Sequence, residues 1–310
     1  MKILGIGNAI VDVICKVDDN VSSQNSLTTS TMKLIFDENE FKKLLTNLKI
    51  EKTVSGGSVA NSIVGISQLG NKVGFIGKVS DDDLGSKYEE GLKKENVEYF
   101  YSKKKEELPT GTCLILVTPD SERTMCTFLG TAGKINESDI SSEAIKKSEI
   151  IFLEGYLWDE GDPKKAFDKA ISSANKVAMS LSDQFCVERH KPHFLELVKN
   201  KFYITFSNEQ EIMSLIDAKS FDEVINFSKS LGKIIVLTRG EKGAVAINGD
   251  EVVECGVKKG LKIVDLTGAG DLFAAGFLHG YINNLSIKES LEKGTEMSSK
   301  IIQKIGARLN

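Results

Sequence analysis

Asp265-Leu266-Thr267-Gly268-Ala269-Gly270-Asp271 is the stretch on which the reading of this chain turns. An apolar run precedes it. After it, Leu272, Gly276 and Gly280 fall at i, i+4 and i+8, with Phe273 and Phe277 on the neighbouring row, which is helical spacing. Glycine and alanine at a helix start allow close approach of a ligand, and the free N–H groups of the first turn point into that space. With the positive end of the helix dipole they form an anion site. Asp271 stands beside it, where a carboxylate is unfavourable unless it has a role. Within reach of a hydroxyl, it can accept the proton as that hydroxyl attacks phosphorus. Read alone, the stretch also fits a glycine-rich turn with Asp271 as an ordinary helix N-terminal acid. A dinucleotide-binding loop fits less well, because the pattern is not GxGxxG and does not lie on a first strand–helix–strand unit.

Working back from this point, strands and helices alternate. Residues 2–7, 11–17 and 73–79 are predicted as strands, and 59–69 and 82–96 as helices. Four short apolar runs, at 150–153, 176–181, 202–206 and 234–237, suit strands buried on both faces. Helical patterns at 163–173, 190–198, 208–216 and 221–231 lie between or after them. This succession implies an α/β fold with a mainly parallel sheet and helices on both sides. Two regions break the rhythm, about 11–36 and 99–128. Segments 112–117 and 123–128 read as a hairpin across Pro119, Asp120 and Ser121. The expectation is one domain over residues 1–310, with a small β-rich lid built from those two regions.

The chain has 310 residues, of which 41% are hydrophobic and 27% charged, enough for a substantial core. A net charge of −4 supplies no field to recruit nucleic acid or an anionic membrane. Five scattered cysteines without a CxxC pair argue against a disulfide framework or a zinc site and suit small buried hydrophobes. Asn8 and Asp12 interrupt the first apolar stretch, and no run approaches membrane-spanning length, so a cytoplasmic protein is expected.

Four further clusters carry polar groups suited to a site. Gly56-Gly57-Ser58-Val59-Ala60-Asn61 opens a helix, and Asn61 can both donate and accept hydrogen bonds, as sugar hydroxyls require. Asn8 and Asp12 lie on or beside an early strand, and Asp12 with Asn61 could hold a vicinal diol. Asn208 and Glu211 have the spacing of a capping box, or of an amide and carboxylate that organise Mg²⁺ and its waters. Thr238-Arg239-Gly240 follows a strand, as a phosphate-binding hydroxyl and backbone or as a tight turn. No GxxxxGK[ST], HExxH or GxSxG occurs, and His190, His193 and His279 have no metal spacing.

Taken together and in order, these pieces resemble the PfkB, or ribokinase-like, family of carbohydrate and nucleoside kinases, from about residue 5 to 306. GGSVAN is similar to the family's N-terminal signature, DLTGAGD to its C-terminal one, and NEQE to its NxxE motif. The resemblance implies a three-layer α/β/α body with a β lid, ATP as donor and a nucleoside or sugar as acceptor. It implies Asp271 as catalytic base, with Gly268, Ala269 and Gly270 as the anion hole. It places Asn208, Thr238, Arg239 and Gly240, with Gly268 and Gly270, on ATP. It places Glu211 and Asn208 near Mg²⁺, through water, and leaves a monovalent cation open. Asn8, Asp12, Gly56, Gly57 and Asn61 fall on the substrate.

Leu266 departs from the threonine common in the family. Residues 180–185, Ser-Leu-Ser-Asp-Gln-Phe, replace the DxNxR segment of many sugar kinases and resemble adenosine kinases, as does Arg123-Thr124-Met125-Cys126-Thr127-Phe128-Leu129-Gly130. This adds Arg123, Tyr156 and Phe185 to the substrate side. With Trp158, the two aromatics could face a base, or they could pack in the core. An adenosine-like nucleoside is the first choice of acceptor. A fructose-, ribose- or 2-keto-3-deoxygluconate-type sugar comes second, and a non-catalytic sensor third. A lid edge is a candidate homodimer contact, and no nucleic-acid or membrane partner is expected.

Overall fold

The computed structural model describes residues 1–18, 32–35, 37–46, 48–119, 123–158 and 163–309. Residues 120–122, the middle of the predicted hairpin turn, and 19–31 of the predicted lid lie outside them. A nine-stranded sheet runs in the order Glu251–Cys255 (β14), Ala244–Asn248 (β13), Ile234–Thr238 (β12), Ile204–Asn208 (β11), Val177–Ser180 (β10), Ile150–Glu154 (β9), Ile3–Ile6 (β1), Val73–Ile76 (β5) and Val97–Tyr99 (β6). From β12 to β6 all neighbours are parallel, and β13 and β14 continue the sheet as an antiparallel hairpin.

The short apolar runs become strands because both faces of this sheet are covered. Along β9, Ile150 and Phe152 enter one core and Ile151 and Leu153 the other, as the period of two requires. On the first face pack helices Ser58–Gln68 (α2), Asp83–Lys94 (α3), Ala269–Ile282 (α9) and Ile287–Ile301 (α10), through Ile63, Tyr88, Phe277 and Leu291 among others. On the second pack Lys164–Ser173 (α5), Gln184–Asn200 (α6), Glu209–Ile216 (α7) and Phe221–Leu231 (α8). Two more helices, Glu38–Leu45 (α1) and Ser142–Lys146 (α4), add Phe41 to the first core and Ala144 and Ile145 to the second. This is the three-layer α/β/α arrangement that the sequence resemblance implies. Among the described residues, no helix is long and apolar enough to cross a membrane.

A smaller sheet runs Met32–Leu34 (β3), Arg123–Phe128 (β8), Gly111–Val117 (β7), Ile10–Lys16 (β2) and Ile50–Ser55 (β4). The predicted 112–117/123–128 pair is antiparallel, with Thr112 opposite Phe128. Its edge strand β4 was not anticipated, and Tyr99, predicted at the start of the second lid segment, ends β6 of the large sheet instead. Alternation again sorts the faces. Val11, Val13, Leu114, Leu116, Cys126 and Phe128 enter the core, while Ile10, Asp12, Cys113, Ile115, Met125 and Thr127 face a cavity. Helix α6 begins at Gln184, earlier than expected, because Asp183 caps it by accepting from the Cys186 N–H at 2.6 Å. Pro192 is tolerated inside it because His190 leaves helical geometry, with φ −117° and ψ 15°.

Candidate active site

The cavity, about 480 Å³, lies between the face of the smaller sheet and the ends of the large sheet's strands. Two helices begin on it, and their first turns differ. Helix α2 starts at Gly57, whose φ is +98° and where any Cβ would collide with the Asn8 carbonyl oxygen. Its Val59 N–H donates to Glu154 Oε2 at 2.8 Å, and the Asn8 N–H donates to Glu154 Oε1 at 2.9 Å. A carboxylate from the end of β9 thus satisfies this helix start. Burial pushes Glu154 up to about 7, against the pull of those two N–H groups.

Helix α9 starts without such a partner. Gly268, its N-cap, has φ +76° and no side-chain cap. The Ala269 N–H turns back to the Leu266 carbonyl at 3.1 Å, and the N–H groups of Gly270 and Asp271 have no acceptor among the described residues. A Cβ built on Gly270 meets nothing, so the nest is open. Bare amides at a helix start beside a cavity are suited to phosphate oxygens.

Asp271, in the first turn of α9, projects into the same space. Its Oδ1 accepts from Ser58 Oγ at 2.6 Å and its Oδ2 from Asn61 Nδ2 at 3.0 Å, while Ser62 Oγ donates to its carbonyl at 2.9 Å. Asn61 Oδ1 in turn accepts from Arg308 Nε at 3.1 Å. Burial raises the Asp271 carboxyl to about 6, and Ser58, Asn61 and the Arg308 charge hold it back. An ionised carboxylate beside an anion nest, with a pKa just below neutrality, is equipped to take a proton from an attacking hydroxyl.

On the far side of the cavity, Asn208 caps α7 in a complete capping box. Its N–H and Nδ2 donate to Glu211 at 3.0 and 2.6 Å, and the Glu211 N–H donates to Asn208 Oδ1 at 2.8 Å. Both residues also line the cavity, so capping and site placement are realised together. Burial raises Glu211 to about 7.

The sequence pattern of the pfkB family of carbohydrate kinases matches residues 6–310. The chain belongs to that family. It is 27% identical to the adenosine kinase of Schizophyllum commune, covering 98% of this chain and 96% of that one. Among solved structures, it superposes on the adenosine kinase from Sinorhizobium meliloti with a TM-score of 0.91 at 35% identity, over 99% of this chain and 95% of the other. A probable sugar kinase from Rhizobium etli gives 0.90 at 34%, over 99% and 94%. The chain is an ATP-using kinase of the nucleoside- or sugar-phosphorylating kind.

The structure brings most of the sequence-predicted residues of this kinase to one place. Asn8, Asp12, Gly57, Asn61, Tyr156, Asn208, Glu211, Thr238, Gly268, Ala269, Gly270 and Asp271 all line the cavity. Gly56 does not, but it makes room: a Cβ there would strike the Asp12 carboxylate at 2.5 Å. Asn61 is already engaged on both sides, by Asp271 and Arg308. Tyr156 donates to the Ser182 carbonyl at 3.3 Å. Phe185 stays outside, 70% exposed on the first turn of α6. Trp158 stacks on Phe167 with ring centroids 4.0 Å apart. Arg239 and Gly240 also lie off the lining. Arg239 pairs with Glu209 at 2.9 Å and stacks on Phe221, so its guanidinium is committed within α7 and α8. Of Arg123, only the backbone opposite Val117 is among the described residues.

Sequence reasoning missed Ser58, Glu154 and Arg308. Ser58 stood inside a quoted motif without a role. Glu154 could have been found as a charge ending an apolar strand, Ile150 to Glu154. Arg308 gives no local signal, since its partner Asn61 is 247 positions away.

Proposed function

We propose that the chain transfers the γ-phosphoryl group of ATP to a primary hydroxyl of a nucleoside, with adenosine the first candidate. The observation that carries this reading is the open start of α9, whose bare Gly270 and Asp271 amides share the cavity with the Asp271 carboxylate. In this reading, the acceptor hydroxyl gives its proton to Asp271 as its oxygen bonds to the γ-phosphorus. The bond to the bridging oxygen breaks, ADP leaves, and charge on the moving group is met by the nest. Asp12 holds the ribose, Thr238 faces the nucleotide, and the smaller sheet acts as the lid that keeps water out.

Mg²⁺ fits as an ion that arrives with the nucleotide. Among the described residues, no cluster of three acidic, histidine or cysteine side chains could cage a metal, and the Glu211 oxygens already accept from Asn208. Glu211 and Asn208 would therefore hold the ion's waters, and the bound ion would offset phosphate charge.

Two features favour a nucleoside over a sugar. The wall formed by Ile10, Leu34, Cys113, Ile115, Met125 and Leu129 is apolar and suits a flat base. The described lining carries Asp12, Glu154, Glu211 and Asp271 but no lysine or arginine, which disfavours an anionic sugar acid. Coupled ADP release with adenosine, inosine, fructose, ribose and 2-keto-3-deoxygluconate tests the reading. Adenosine is expected to lead in kcat/KM by at least about tenfold. A sugar in the lead would overturn the nucleoside assignment, and binding without any turnover would make the protein a sensor.

A further inference from the structure

We infer that Arg308 is a positioning residue for the base: it locks the Asn61 carboxamide in the one orientation that donates to Asp271. The inference rests on the reading of Asp271 as the base. Arg308 Nε donates to Asn61 Oδ1 at 3.1 Å, and Asn61 Nδ2 donates to Asp271 Oδ2 at 3.0 Å. A guanidinium has only donors and an ionised carboxylate only acceptors, so an amide between them satisfies both in a single orientation. Turned over, it would set donor against donor and acceptor against acceptor.

The final turn is pinned where this contact needs it. The Gly306 N–H donates to Asp265 Oδ2 at 2.7 Å, while Asp265 Oδ1 holds the Thr267 N–H and hydroxyl at 3.0 and 2.8 Å. Ala307 lies against Gly268, where a Cβ would meet it at 2.7 Å. One aspartate thus joins the glycine loop to the segment that carries Arg308. The placement is unfavourable in itself. Arg308 is 9% exposed, and its Nη2 has no hydrogen-bond partner among the described residues. An apolar side chain would serve simple packing better.

The charges around the pair come from several elements. Arg308 faces Tyr88 of α3, Glu95 just after it, Asp12 of β2 and Asp271 of α9. Asp271 faces Arg308, Glu154 at the end of β9 and Tyr156 in the turn beyond. With Arg308 in place, the carboxamide cannot rotate to offer its oxygen to a protonated Asp271. Without it, the amide is free to do so, the neutral acid gains a partner, and a nearby positive charge is lost.

The test is the pH profile of kcat/KM for wild type, Arg308→Met, Asn61→Ala and the double variant, each checked by thermal melt. Arg308→Met is expected to move the acid limb up by about one pH unit. Activity at pH 6 then falls about fivefold, while that at pH 9 stays within about threefold. On the Asn61→Ala background, the same substitution is expected to move the limb by less than about half as much. A limb that coincides with wild type, or a shift of equal size without Asn61, overturns the inference. Should Arg308→Met not fold, Arg308→Lys takes its place, keeping stem and charge but losing the flat Nε contact. Its limb is expected to lie above that of wild type by less than about one pH unit, and a profile identical to wild type overturns the inference. Separately, full activity in Asp271→Asn would remove the base itself, a failure that the arginine variants cannot mimic.

Discussion

A carboxyl that titrates near 6 is a compromise between burial, which favours the acid, and three partners, Ser58, Asn61 and Arg308, which favour the anion. The consequence for Asp271 is directional. Only the ionised form accepts a proton, so kcat/KM is expected to fall as pH drops through about 6 and to level off above it. Asp271→Asn keeps the shape and can still accept from Ser58, so the variant is expected to fold while kcat drops by at least about 100-fold. Steady-state ADP release at saturating substrate measures this, and a loss under about tenfold would make the base assignment untenable. Asp271 was legible in the sequence because a charge among glycines is chemically out of place. Glu154 was legible only as a charge ending an apolar strand, because its role is set by what meets it in space: the Asn8 and Val59 N–H groups come from two other segments.

Among the elements, the start of α9 separates two glycines that look equivalent in sequence. Gly268 sits at φ +76° with Ala307 pressed against it, so Gly268→Ala is expected to cost about 1–2 kcal/mol of backbone strain before any repacking. Gly270 is helical and borders open space, so Gly270→Ala is expected to leave stability within about 1 kcal/mol, helped by alanine's helix propensity. Its methyl group would crowd the nest, and KM for ATP is expected to rise or kcat to fall by about tenfold. Urea melts and kinetics on the pair check the contrast; equal destabilisation by both would refute it. The same physics explains which elements were legible. Strands buried on both faces announce themselves as apolar runs. Strands β14 and β4 do not, since Glu251–Cys255 and Ile50–Ser55 stay largely polar and exposed, whereas β13, Ala244–Asn248, is such an apolar run and was passed over. The Gly249-Asp250 turn was nonetheless there to be read, and Gly249, first of the two loop residues between the paired Asn248 and Glu251, takes a positive φ of +59°.

For the molecule as a whole, the alternation of strands and helices predicted the layers, but not the spatial order that puts β1 between β9 and β5. That order brings Asn8, Glu154 and α2 together, and no local pattern encodes it. It also gathers buried acids around one cavity, with a consequence for stability. Asp271, Glu154 and Glu211 rise to about 6, about 7 and about 7 in the fold, whereas unfolded carboxyls titrate near 4. Between about pH 4 and 7, the folded state therefore binds more protons at these sites, so their contribution weakens folding as pH rises. His279 opposes this, because burial keeps its imidazole below the ordinary value and acid must charge it. Glu296, held near 2 by Lys300 and Lys293, loses its benefit only well below pH 5. Three buried acids outweigh one half-buried histidine. The melting temperature without ligand is accordingly expected to rise as pH falls from about 8 to about 5.5, then to decline below about 4 as exposed ion pairs are lost. Calorimetry across that range measures it. A melting temperature that falls steadily from pH 8 downward would mean that these carboxyls are not desolvated in the empty cavity, and that the base titrates lower than its surroundings imply.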